Sequence, residues 1–197
     1  MIKNIIFDMG NVLLQFRPWV ALDTFFTTQE DKDIINRELF MAPEWIMGDE
    51  GSITNEERYE RVCPRIPERL HRQFKECIEG WDSCLIPVPG ADEFCQEVRQ
   101  KGYRLYILSN ACNRFRHFFP REFEESYFDG IVVSSEVKLI KPNPQIYQYI
   151  CRTYNLIPQE CLFIDDREEN VEGALSMGMK GIVFKGDWQE VRNRLEQ

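Results

Sequence analysis

Five short apolar runs, at residues 2–7, 103–108, 130–133, 161–164 and 181–184, punctuate the 197-residue chain. Each is nearly continuous rather than alternating, which suits strands buried on both faces of a parallel sheet. Between the runs, apolar positions fall at helical spacing. Ala91, Phe94, Cys95 and Val98 form one stripe, and Gly102 follows as a stop. Asn143-Pro144 offers an N-cap and a first-turn proline ahead of Ile146 and Ile150. Val171, Ala174 and Leu175 make a third stripe, closed by Gly178. Strand, helix, strand in repetition predicts a doubly wound α/β sheet.

Residues 16–87 break that rhythm. They show no strand pattern, but helices are legible in them. Thr54 and Glu57 have the spacing of a capping box, which satisfies two orphan backbone donors at a helix start. Pro64, Pro67 and Pro87-Val88-Pro89-Gly90 punctuate the end of the stretch. The expectation is a small helical cap between the first strand and the rest of the sheet. Ligands of an open parallel sheet bind beyond the carboxyl ends of its strands, so such an insertion overhangs the site.

Polar residues gather at those carboxyl ends. Asp8 follows the first strand, Ser109-Asn110 the second and Asp165-Asp166 the fourth, while Lys141 lies in the loop after the third. An acidic residue after a strand is ordinarily a turn or cap former. Three carboxylates, a hydroxyl, an amide and an ammonium on one rim are a kit for phosphoryl transfer. Carboxylates can hold a hard divalent cation, and one of them can attack phosphorus to give an acyl phosphate. The ammonium and the polar donors stabilise charge on the phosphoryl oxygens.

Composition narrows the partners. The net charge of −9 argues against nucleic acid or an anionic membrane surface, both of which need a basic field. It permits an anionic substrate, because a lysine or bound cation can invert the potential inside one cleft. No apolar run approaches the ~20 residues of a membrane span. Asp8 interrupts the N-terminal run before a signal-peptide apolar region forms, so a cytoplasmic location is expected. Seven cysteines without a Cys-x-x-Cys pair, and only two histidines, give little support to zinc or iron–sulfur ligation. Most of the cysteines read as small buried hydrophobes.

Phe7-Asp8-Met9-Gly10-Asn11-Val12-Leu13, Leu108-Ser109-Asn110, Lys141-Pro142 and Phe163-Ile164-Asp165-Asp166 resemble, in order, the four motifs of the haloacid dehalogenase-like hydrolase superfamily. The resemblance covers nearly the whole chain. It implies an α/β fold with a Rossmann-like parallel-sheet core at residues 1–15 and 88–197 and a small α-helical cap domain at 16–87. It also implies Asp8 as nucleophile, Ser109 and Asn110 as phosphate contacts, and Lys141 steadying both nucleophile and phosphate. Magnesium would be held by Asp8, the Gly10 backbone carbonyl and Asp166, with Asp165 in support. The substrate class implied is a small phosphate ester; oligomeric state is left open.

One position departs from the family pattern. The aspartate that acts as general acid and base two residues after the nucleophile is Gly10 here. Losing such a group typically costs ~10²–10⁴-fold. Asp49, Glu50 or a water could supply the proton instead, or the leaving group could be acidic enough to need little help, as an anomeric sugar phosphate would be. The Asp-x-Gly-Asn-Val variant and Asn170-Val171-Glu172-Gly173-Ala174 are similar to the branch containing bacterial α-D-glucose-1-phosphate phosphatase, which leans the reading toward sugar phosphates. The alternative is a catalytically weak or inactive regulator that binds phosphorylated ligands. A dehalogenase leaves Asp165-Asp166 without a task, and a phosphomutase relies on the residue that Gly10 has replaced.

Other candidates have blander readings. Trp19, Trp45 and Trp81 are expected as aromatic filling of the cap rather than substrate contacts. Glu50-Gly51-Ser52 is a turn that reads equally as linker or specificity loop. Arg114 and Arg116 are expected as solvated surface charges, and His117 as packed or half-exposed.

Overall fold

The computed structural model describes residues 1–196. The five apolar runs become β1 (Asn4–Phe7), β4 (Arg104–Ser109), β5 (Gly130–Val133), β6 (Cys161–Asp165) and β7 (Lys180–Val183). They pair in parallel throughout, in the order β5-β4-β1-β6-β7. Alternate residues of the central strand face opposite cores. Ile5 and Phe7 pack with Phe94, Phe115 and Trp188, which belong to α6 (Ala91–Gln100), α7 (Phe115–Glu122) and α11 (Trp188–Leu195). Ile6 packs with Ile146 and Val171 of α9 (Pro144–Tyr154) and α10 (Glu168–Ser176). Helices thus cover both faces, which is why these strands carry apolar side chains without alternation. After β1 the sheet grows by β4 and β5 on one side and then by β6 and β7 on the other, so the crevice at the strand-order reversal opens at the carboxyl end of β1.

Between β2 (Leu14–Phe16) and β3 (Leu85–Pro87) lie α1 (Pro18–Phe25), α2 (Gln29–Ile35), α3 (Pro43–Asp49), α4 (Asn55–Val62) and α5 (His71–Gly80). A π-helical turn, Asn36–Phe40, joins α2 to α3. These helices have a core of their own around Leu22, Ile35, Leu39, Val62 and Phe74. The capping box forms at α4: the Thr54 side chain accepts from the Glu57 backbone N–H while Glu57 accepts from that of Thr54. A last short helix, α8 (Ser134–Val137), follows β5 directly.

Two features differ from the sequence reading. The 16–87 stretch is bounded by strands, because β2 and β3 pair antiparallel, with Leu14 opposite Pro87 and Phe16 opposite Leu85. Three residues are too few to show alternation, and Pro87 sits at a strand end, where no ladder donor is needed. Trp19 is not filling: it is 57% exposed, whereas Trp81 is 4% exposed and packs against Trp45. Among the described residues no helix is long and apolar enough to cross a membrane.

Candidate active site

Asp8 leaves the end of β1 with its backbone N–H donating to the Ile164 carbonyl of β6, which fixes it at the mouth of the crevice. One carboxyl oxygen, Oδ1, lies 2.8 Å from Lys141 Nζ. Lys141 Nζ in turn lies 2.6 Å from Asp165 Oδ2. Asp165 is fully buried and further held by the Asn170 amide at 3.0 and 3.1 Å and by the Arg167 backbone N–H at 2.9 Å. A buried lysine with two buried carboxylates is a matched arrangement only while all three remain, because an unpaired buried charge is expensive.

The oxygens of Asp8, Asp165 and Asp166 converge: each residue offers one within 4.8 Å of the others. Burial pushes the Asp8 carboxyl up to about 7 against the pull of Lys141, and the charges of Asp165 and Asp166 push the same way. Burial also raises Asp166. Burial alone would lower Lys141, but the charges of Asp8 and Asp165 outweigh it and hold the ammonium above its usual range. The rim therefore carries more negative charge than one lysine neutralises. Its hard oxygen donors fit a divalent cation such as magnesium.

Asn110 and Lys141 are joined through the backbone of Lys141. The Asn110 amide donates to the Lys141 carbonyl at 3.0 Å, and its oxygen accepts the Lys141 N–H at 2.8 Å. Asn110 thus positions the loop that delivers the lysine. Ser109 is fully buried behind it, and its Oγ has no partner among the described residues. Gly10 stands beside the other Asp8 oxygen: a Cβ there would meet Oδ2 at 3.8 Å, ordinary contact distance. Its backbone conformation does not require glycine either, since it is not among the positive-φ residues.

Asp8, Gly10, Asn110, Lys141 and Asp166 line one cavity of about 470 Å³; Ser109 and Asp165 stand behind its wall. The opposite side comes largely from the helical insertion, through Phe40, Trp45, Ile46, Asp49 and Glu50. Trp81 meets Phe16 and Trp45 edge-on there, and Phe16 lies tilted against Trp45, so Trp45 and Trp81 are both packing and cavity wall. Arg114 is not a free surface charge, because it pairs at 2.8 Å with buried Asp82. Arg116 pairs with Glu136 at 2.9 Å, and His117 is exposed. Burial pushes the Cys77, Cys84, Cys95 and Cys161 thiols up to about 12, which removes them as nucleophiles.

Two residues gain roles that the residue-by-residue reading did not assign. Asn11 adopts a left-handed backbone (φ 54°), which asparagine tolerates, and its amide donates to Asp166 Oδ2 at 2.9 Å. Asn170, on the first turns of α10, holds Asp165. Both stand in motif strings that were legible, but what each touches depends on chain segments far away in sequence.

Residues 2–178 match the protein family described as haloacid dehalogenase-like hydrolase. A sesquiterpene phosphatase from Aspergillus oryzae is 27% identical over 184 residues, covering 91% of this chain and 88% of its own. A phosphorylated carbohydrates phosphatase from Thermotoga maritima is 25% identical over 192 residues, covering 91% of this chain and 83% of its own. Among solved structures, an HAD family enzyme from Bacteroides thetaiotaomicron, in complex with magnesium and inorganic phosphate, superposes with a TM-score of 0.76. It is 23% identical and covers 97% of this chain and 99% of its own, a likeness of fold.

Proposed function

Because the chain belongs to the haloacid dehalogenase-like hydrolases, we propose that it is a magnesium-dependent phosphatase that hydrolyses a small phosphate ester through an aspartyl-phosphate on Asp8. The observation that carries the reading is the state of the Asp8 carboxyl. Lys141 orients Oδ1 at 2.8 Å, while Oδ2 accepts no hydrogen bond among the described residues and lies on the side of Gly10, which lines the cavity together with Asp8.

Asp8, Asp166 and the Gly10 carbonyl would hold magnesium, supported by Asp165, and the cation would mask the charge of the phosphate. Lys141 and Asn11 hold the first two carboxylates in place. The carboxylate of Asp8 attacks phosphorus, the bond to the leaving-group oxygen breaks, and water later cleaves the acyl phosphate. Asn110, on the cavity wall with Ser109 buried behind it, would contact the phosphoryl oxygens, and Lys141 would stabilise their charge. Residues 16–87 act as the cap over a core of 1–15 and 88–197, a role supported by Trp45, Asp49 and Glu50 standing on the cavity wall.

Sugar phosphates are the first substrate class to try, in line with the relative from Thermotoga maritima. A second reading, the phosphate ester of an apolar alcohol, is favoured by the aromatic and aliphatic far wall of Phe16, Phe40, Trp45, Ile46, Trp81 and Phe118. The Aspergillus oryzae relative agrees with it. Initial rates with magnesium on sugar phosphates, isoprenoid phosphates and an aryl phosphate test the function. Turnover is expected to vanish on chelation and in Asp8→Asn. Specific ester binding without turnover in the wild type would instead identify a regulator.

A further inference from the structure

We propose that Asp49, carried by the helical insertion, is the general acid and base that Gly10 does not provide; this rests on the phosphatase reading of Asp8. Asp49 ends α3 and lines the same cavity as Asp8, Gly10, Lys141 and Asp166. Its carboxyl accepts and donates no hydrogen bond among the described residues. Its backbone, by contrast, is firmly tied. The Asp49 carbonyl accepts from Ser134 Oγ at the start of α8, and the same hydroxyl oxygen accepts the Ala111 N–H at 2.9 Å. Two residues on, Lys138 donates to the Gly51 carbonyl. The insertion is therefore fastened to the sheet at the point where it delivers this side chain, whose carboxyl feels the charge of Arg58 but forms no hydrogen bond or ion pair among the described residues.

The groups facing Asp49 set its charge. Burial is the largest influence and pushes its carboxyl up to about 8, with Asp8 and Glu50 acting the same way and the Arg58 guanidinium opposing them. Cys112 is the other titratable neighbour, its own thiol raised by burial. A carboxyl protonated near neutrality suits a group that must give a proton and then take one back. Arg58 is itself 2% exposed and fixed by the Glu44 carbonyl and Asn55, packed against Gly48, where any Cβ would meet its guanidinium.

The chemistry balances in two steps. As Asp8 bonds to phosphorus and the phosphorus–oxygen bond to the leaving group breaks, the electron pair goes to the leaving oxygen, which takes the Asp49 proton. Water then attacks phosphorus and gives its proton to the Asp49 carboxylate, while the bond between Asp8 and phosphorus breaks and releases inorganic phosphate. The enzyme returns to its starting protonation. Gly10 and Asp49 line the same cavity, and Gly10 puts no side chain into it.

The test compares the full-length wild type with Asp49→Asn on an alkyl phosphate and on p-nitrophenyl phosphate. The alkyl ester needs its leaving oxygen protonated, and the expected loss in kcat is about 10²–10⁴-fold. The nitrophenyl ester does not, so Asp49→Asn should release one equivalent of nitrophenol in a burst and then turn over slowly as phosphoenzyme accumulates. Equal losses on both esters without a burst, or turnover of the alkyl ester by Asp49→Asn at the wild-type rate, would overturn the assignment. Turnover surviving in Asp8→Asn would contradict the nucleophile reading itself, a failure visible without reference to Asp49.

Discussion

Lys141 is the residue on which the charge balance of the rim depends. It compensates Asp8 and Asp165 at 2.8 and 2.6 Å with no exposed side-chain area. Lys141→Met should leave two buried carboxylates sharing no cation and destabilise the metal-free protein by about 3–5 kcal/mol, read by urea unfolding. Asp49 should behave in the opposite sense. Its folded-state pKa is raised, so between its unfolded value near 4 and about 8 the folded protein binds more protons than the unfolded chain. That contribution makes stability fall as pH rises through the window. Asp49→Asn should therefore melt above the wild type at pH 7.5, with the two curves meeting toward pH 4; a variant that melts lower at neutral pH would show the carboxyl to be structural. Gly10→Ala should change stability by less than about 0.5 kcal/mol in the same assay, since its new methyl meets only Asp8 Oδ2 at 3.8 Å.

At the scale of elements, a buried carboxylate bound by two arginines ties the end of the insertion to the sheet. Asp82, between α5 and β3, receives Arg114 at 2.8 Å and is also bound by Arg121 of α7. Burial pushes the Asp82 carboxyl up, but the two guanidiniums outweigh it and leave it below its usual value. A depressed folded-state pKa gives stability that is full above the unfolded value near 4 and is lost as pH falls through the folded one. Asp82→Asn should cost about 1–3 kcal/mol at pH 7 by denaturant unfolding, since the guanidiniums left behind are 23% and 51% exposed, and the difference should shrink in acid below pH 4.

How far the sequence carried the fold depended on how local each signal was. β1, β4 and β6, the capping box of α4 and the Asn143-Pro144 start of α9 are written within a few residues, and the structure has them there. β2 and β3 are made by a partner some seventy positions away, so nothing within three residues announces them. The rim of Asp8, Lys141, Asp165 and Asp166 was legible because strand ends in a parallel sheet share one edge. The internal order of that rim was not: Asn110 is occupied by the Lys141 backbone, and Asp165 by Lys141 and Asn170, facts of side-chain geometry. Asp49 could be named as a proton source, but its place on the cavity wall is set by Ser134, 85 residues later.

For the whole molecule, the net charge of −9 and the acidic rim together oppose an approaching phosphate. Lys141 alone does not reverse that field, so activity should require a divalent cation and return when magnesium is added back after chelation. The most direct measurement is acid-quenching of the wild-type protein during turnover, followed by peptide mass spectrometry. The account predicts one hydroxylamine-sensitive phosphoryl group on the peptide carrying Asp8, more of it in Asp49→Asn, and none in Asp8→Asn. A phosphoryl group on any other residue, or steady turnover in which Asp8 is never modified, would contradict it.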